Sequence, residues 1–158
     1  MRYSGLQVVF KEIPNEVSLA IQVTGCALRC IDCHSKDSWN QALGELLTPE
    51  VLKALILTYR EYITCVLLMG GEWDGAIYQL LEVVRENSLK TALYTGLEIG
   101  NVDVRLLSRL DYIKCGRFIK EAGPLSSTKT NQKLIELKTG RILNHYFHER
   151  NFENDRLI

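Results

Sequence analysis

Val17, Leu19, Ile21 and Val23 alternate with Ser18, Ala20, Gln22 and Thr24, a period of two that turns one side of a strand toward a core. A different run, Thr64-Cys-Val-Leu-Leu-Met69, is short and continuously apolar, as in a strand covered on both faces of a parallel sheet. Thr91-Ala-Leu-Tyr94 and Tyr112–Cys115 predict two more strands. Between the strands the period lengthens. Thr48-Pro49-Glu50 offers a hydroxyl cap, a proline at the first helical position and an acid in the first turn, predicting a helix to about Tyr62. Asp74 caps a second helix in which Ile77, Leu80, Leu81 and Val84 recur at helical spacing. A shorter third helix covers roughly Val104–Leu110. Lys133–Lys138 and Arg141–Tyr146 flank Thr139-Gly140 and predict a C-terminal β-hairpin. Residues 1–16 and 117–131 read as irregular, and the charged tail, 148–158, as loose. The stretch from Thr24 to about Leu46 also lacks a period. A loop of about 20 residues is long enough to imply that function or a ligand holds it.

Strand alternating with helix means crossover connections and a mostly parallel sheet, an α/β fold. Four strands and a terminal hairpin are too few to close an eight-stranded barrel. The expected architecture is an open, partial (β/α) barrel in a single domain, 1–158, with a lateral gap wide enough for a large substrate. Thr24-Gly25-Cys26, Gly70-Gly71-Glu72, Thr95-Gly96 and Cys115-Gly116 each fall just past a strand's carboxyl end, the edge where ligands bind in such folds.

Composition narrows the function. Hydrophobic residues make up 46% of the chain and charged residues 24%, enough apolar material for one core. Nineteen basic and nineteen acidic residues cancel, which argues against a nucleic-acid partner. No run has the length of a signal peptide core or a membrane span, so a cytoplasmic protein is expected. There, clustered cysteines favour metal or redox chemistry over disulfides.

The five cysteines include Cys26, Cys30 and Cys33, spaced C-x3-C-x2-C in Thr24-Gly-Cys-Ala-Leu-Arg-Cys-Ile-Asp-Cys-His-Ser35. A soluble thiol cluster this tight points to zinc or to an iron–sulfur group. Zinc would need His34 as fourth ligand, although neighbouring residues rarely both face one tetrahedral ion. A 4Fe–4S cube would keep one iron free of protein thiolate. Gly70-Gly71-Glu72 lets a ligand approach the backbone and sets a carboxylate there to accept from an ammonium group; a plain glycine turn is the alternative. Thr95 is a weaker candidate for contacting the same ligand. Cys65 and Cys115 read as small buried hydrophobes, His145 and His148 as solvated, and Trp39 and Trp73 as more often core than cofactor wall. Lys114 and Arg117 could face an anion or solvent.

The cysteine spacing resembles the signature of the radical S-adenosylmethionine (radical SAM) superfamily, and the Gly-Gly-Glu element one crossover later is similar to the one that holds the methionine amino group there. Leu93-Tyr-Thr-Gly96, Asp111-Tyr-Ile-Lys-Cys-Gly-Arg-Phe-Ile-Lys120 and Gly123-Pro-Leu-Ser-Ser-Thr-Lys-Thr-Asn-Gln132 extend the resemblance to the activating proteins of anaerobic (class III) ribonucleoside-triphosphate reductase. It covers roughly residues 17–147. It departs where Ile13-Pro-Asn-Glu16 replaces an Asp-Gly-Pro-Gly element, where Trp73 follows Gly-Gly-Glu, and at Asp32, where the superfamily usually has an aromatic.

The resemblance implies that Cys26, Cys30 and Cys33 hold a 4Fe–4S cluster with one open iron. S-adenosyl-L-methionine would bind that iron, its amino group oriented by Gly70, Gly71 and Glu72. Its reductive cleavage would generate a glycyl radical on the large reductase subunit, with an electron donor such as a flavodoxin. A neighbouring reading changes the target to another glycyl-radical enzyme or a small molecule. A different class would be a zinc-stabilised protein-binding module.

Overall fold

A computed structural model describes residues 1–148. Eight strands form one open sheet: β1 (Arg2–Val9), β2 (Ser18–Val23), β3 (Glu45–Leu46), β4 (Cys65–Met69), β5 (Lys90–Tyr94), β6 (Tyr112–Cys115), β7 (Lys133–Glu136) and β8 (Arg141–Ile142), in the order β3-β1-β2-β4-β5-β6-β7-β8. The centre, β2-β4-β5-β6, is parallel, and the strands on either side pair antiparallel. Three helices make the crossovers: α1 (Pro49–Tyr59), α2 (Ile77–Glu86) and α3 (Val104–Leu107). The α/β reading with an unclosed, partly parallel barrel holds. Among the described residues no helix is long and apolar enough to cross a membrane.

The alternation in β2 does what its period requires. Leu19 and Ile21 join Val66, Leu68, Leu93 and Ile113 on the outer face, against Leu52 and Ile56 of α1 and Leu80, Leu81 and Val84 of α2. Full burial of each such aliphatic stabilises the fold by about 1.5–3 kcal/mol. The inner face carries smaller or polar groups. Ala20, Cys65, Leu67, Ala92, Tyr112 and Leu134 form a second core with Val9, Ile13 and Leu143. Further along the same inner rows come Gln22, Met69, Tyr94 and Lys114, which open onto a cavity.

Thr48 caps α1 as expected, accepting from the Val51 N–H at 3.3 Å with Pro49 behind it. Several boundaries differ from the sequence reading. Residues 2–9, read as irregular, are β1. Its pattern is masked by a register shift between Tyr3 and Gly5 and by outward polar residues. The Asp74 carboxylate accepts from the Ala76 N–H at 2.9 Å and caps a turn, so α2 proper starts at Ile77. α1 stops at Tyr59 and α3 at Leu107. The long loop contains a 3-10 turn, Lys36–Trp39, and β3. The second hairpin arm is only Arg141–Ile142 before a 3-10 turn at Asn144–Phe147. From residue 149 on, the tail expected to be loose lies outside the described residues.

Candidate metal and cofactor site

All four glycine-bearing strand ends meet at one rim. β2 runs into the cysteine loop, β4 into Gly70-Gly71-Glu72, β5 into Thr95-Gly96 and β6 into Gly116. They enclose a cavity of about 320 Å³ lined by Cys26, Cys30 and Cys33 together with Gly70, Glu72 and Thr95. Gly71 stands behind the turn, against the Met1 and Val23 side chains, and is not part of the lining. Six of the seven residues singled out from sequence thus share one cavity.

The cysteine loop is tied at its base and sparsely bonded at its tip. The Thr24 hydroxyl donates to the carbonyls of Leu43 and Arg2, and the Gly25 and Cys26 amides both donate to the Ser38 carbonyl. At the tip the Cys33 amide donates to the Cys30 carbonyl, and the Ser35 amide donates to Cys33 Sγ at 3.4 Å. Ile31 there is 87% exposed. Burial pushes the Cys26 thiol up, opposed by the backbone amides of Leu28 and Arg29. Leu28 packs the loop against Gly96, just past β5: a side chain there would meet its Cδ1 at 2.6 Å and push it aside.

Glu72 is the other organised group. The Thr95 hydroxyl donates to its Oε1 and in turn accepts from the Leu97 N–H at 3.0 Å. Glu72 Oε2 is buried with no partner among the described residues. Burial raises the Glu72 carboxyl above the usual carboxylate range, and the Thr95 hydrogen bond works against that rise. The site therefore spends one carboxylate oxygen on fixing the side chain and leaves the other free for a donor. Gly70 has φ +90°, and any Cβ there would strike the Trp73 ring at 2.7 Å. Trp73 lies over the turn as a wall of the cavity and is 40% exposed, which corrects its reading as core.

Lys114 also faces the cavity. Its ammonium lies 5.2 Å from the centre of the Tyr94 ring. Burial lowers its pKa, while the thiols of Cys30, Cys115 and Cys33 act to raise it. His34 lines the cavity with its ring 5.0 Å from Phe118. Asp32 does not line it and is exposed on the outer side of the loop. Cys65 and Cys115 are buried as small core residues, and burial pushes the Cys65 thiol up to about 12. His145 is exposed beside Tyr146. Gln22, Leu28, Phe118 and Gln132 of the lining were not singled out from sequence; Gln22 could have been, as the polar position nearest the loop in an alternating strand.

Among the described residues no three His, Cys, Asp or Glu side chains converge where a single metal ion could sit. A cube spreads its irons, so its thiolates stand farther apart than the ligands of one ion. A sequence profile described as a 4Fe-4S single cluster domain matches residues 16–135. The chain belongs to the 4Fe-4S single cluster domain family. That match starts just ahead of β2 and ends in β7, taking in every strand end that forms the cavity.

Two curated relatives share part of this domain. The pyruvate formate-lyase-activating enzyme of Clostridium pasteurianum is 33% identical over 97 residues, 56% of this chain and 40% of that protein. The pyruvate formate-lyase 1-activating enzyme of Escherichia coli strain K12 is 36% identical over 52 residues, 30% of this chain and 21% of that protein. The matches span well under half the length of either relative.

Proposed function

We propose that the chain is a radical SAM activase that installs a glycyl radical on a partner enzyme. Cys26, Cys30 and Cys33 would hold a 4Fe–4S cluster with one iron left open. The observation that carries this is the pairing, in one cavity, of three thiols with a buried carboxylate oxygen that lacks a partner. That donor set suits a cluster beside a ligand bearing an ammonium group, as S-adenosyl-L-methionine does. When bound, the cluster supplies an electron for reductive cleavage of the sulfonium. The chain's own residues do the rest. Glu72 accepts from the ligand's ammonium, Thr95 holds Glu72 in place, Gly70 lets the Trp73 ring lie against the turn, and Trp73 and Leu28 exclude water. A cytoplasmic location and a flavodoxin-like donor belong to the same reading.

The partner we favour is the large subunit of anaerobic ribonucleoside-triphosphate reductase. The resemblance behind that choice sits in Asp111–Lys120 and Gly123–Gln132, and Gly116, Phe118 and Gln132 of those stretches line the cavity. A second reading, pyruvate formate-lyase, draws on the names of the relatives. One experiment separates them. The anaerobically reconstituted, reduced chain is incubated with S-adenosylmethionine and each candidate partner in turn, and the glycyl radical is followed by EPR. A radical on the reductase alone supports the proposal, one on the lyase alone supports the second reading, and a colourless chain holding only zinc refutes both.

A further inference from the structure

Among the described residues lining the cavity, Lys114 is the only lysine or arginine and Glu72 the only carboxylate. They are not an ion pair, and Lys114 has no carboxylate within ion-pair distance among the described residues. Its backbone is locked between neighbours: the Thr95 amide donates to the Lys114 carbonyl at 2.8 Å, and Lys114 pairs with Leu134 of β7. Its ammonium is folded over Tyr94, whose hydroxyl donates to the Glu12 carbonyl and so pins the ring. A lysine serving only solubility would extend to water. Here the charge is kept over Tyr94 in the cavity that Cys26, Cys30 and Cys33 also line.

An ammonium has no lone pair for iron, so Lys114 is not a ligand. What it offers is a fixed positive charge beside thiolates that would leave a bound cluster anionic. One-electron reduction adds another negative charge, and net charge and environment are the terms that set a cluster's potential. In a cavity of reduced dielectric a nearby cation weighs more than it would in water. We propose that Lys114 is the counter-charge of the cysteine site, a positioning residue that eases reduction of the cluster while the thiols alone assemble it. This rests on the cluster reading above.

The test uses the full chain, loaded anaerobically with iron and sulfide, as wild type, Lys114→Met and Lys114→Arg. Iron and sulfide content is measured first, then the cluster's midpoint potential by EPR-monitored titration without S-adenosylmethionine. Equal loading is expected. Lys114→Met should shift the reduction equilibrium at least tenfold toward the oxidised cluster, about 59 mV for one electron, and Lys114→Arg should stay near wild type. Should Lys114→Met not fold, Lys114→Gln keeps part of the stem and carries the same expectation. An unshifted potential overturns the inference, including when S-adenosylmethionine binds more weakly, since the ammonium then serves the cosubstrate instead. A wild-type chain that takes up no iron–sulfur group overturns the functional reading as well.

Discussion

The β4–α2 unit and the cysteine loop, neighbours across the rim of the sheet, are held by opposite means. In β4 and α2 the backbone is bonded on both sides or within the helix, and Val66, Leu67, Leu68, Leu80, Leu81 and Val84 are at most 1% exposed. The loop from Thr24 to Gly44 is fastened at its base through Thr24, Gly25 and Ser38. Its tip offers exposed Ala27, Arg29, Ile31, Asp32 and His34 and three inward thiols. Burial can hold the first region without help. The second has too few apolar contacts to do so, and on the proposed reading a bound cluster ties three points of it together. Stability and function are thus separated in space, with Gly96, Gly70 and Glu72 at the seam.

That separation can be broken from either side. The largest effect is expected from Cys30→Ala, which should bring 5′-deoxyadenosine formation down to background while leaving the denaturation midpoint of the iron-free chain near wild type. Normal turnover would remove Cys30 from the ligand set. Leu93→Ala strikes the other region. A fully buried leucine between both sheet neighbours should cost about 2–5 kcal/mol in chemical denaturation, with the iron content of the remaining folded chain unchanged.

Glu72→Gln probes the seam. Loss of a charged acceptor should weaken S-adenosylmethionine binding by roughly 10–100-fold, from about 1.5–3 kcal/mol for a charge-assisted hydrogen bond. It should also stabilise the ligand-free fold at neutral pH. Burial raises the folded carboxyl above its unfolded value, so the folded chain keeps that proton longer. The fold therefore loses stability as pH rises from the unfolded value through the raised one, and glutamine abolishes that loss. Denaturation curves of both proteins at acid and neutral pH should differ only at neutral pH. The smallest effect is set for Thr48→Ala, about 1 kcal/mol from the α1 cap, with cluster content and ligand binding unmoved.

The parallel centre was legible in the sequence because burial writes itself as period. Leu19 and Ile21 alternate, Val66-Leu67-Leu68 runs on, and Leu80, Leu81 and Val84 repeat as a helix does. β1 was hidden because it lies near a sheet edge, its outward residues are polar and the shift at Gly5 breaks its phase. Cysteines and glycines marked the rim because the C-x3-C-x2-C spacing and the Gly-Gly-Glu turn fall together at strand ends. The use of Lys114 and Trp73 was not legible: Lys114 depends on inner-face register and a contact with Tyr94 on the neighbouring strand, and Trp73 on a tight turn that folds its ring back over Gly70. Thr95 was marked as a ligand contact; it lines the cavity, and its hydroxyl also holds Glu72, a link the sequence did not reveal.

The most direct test of the central claim is Mössbauer spectroscopy of the chain reconstituted with isotopically enriched iron, before and after adding S-adenosylmethionine. The account predicts one iron site of the cube distinct from three thiolate-bound ones, and a shift of that site alone when the cosubstrate is added. Four irons that all ignore S-adenosylmethionine, or a protein that takes up no cube, would contradict it.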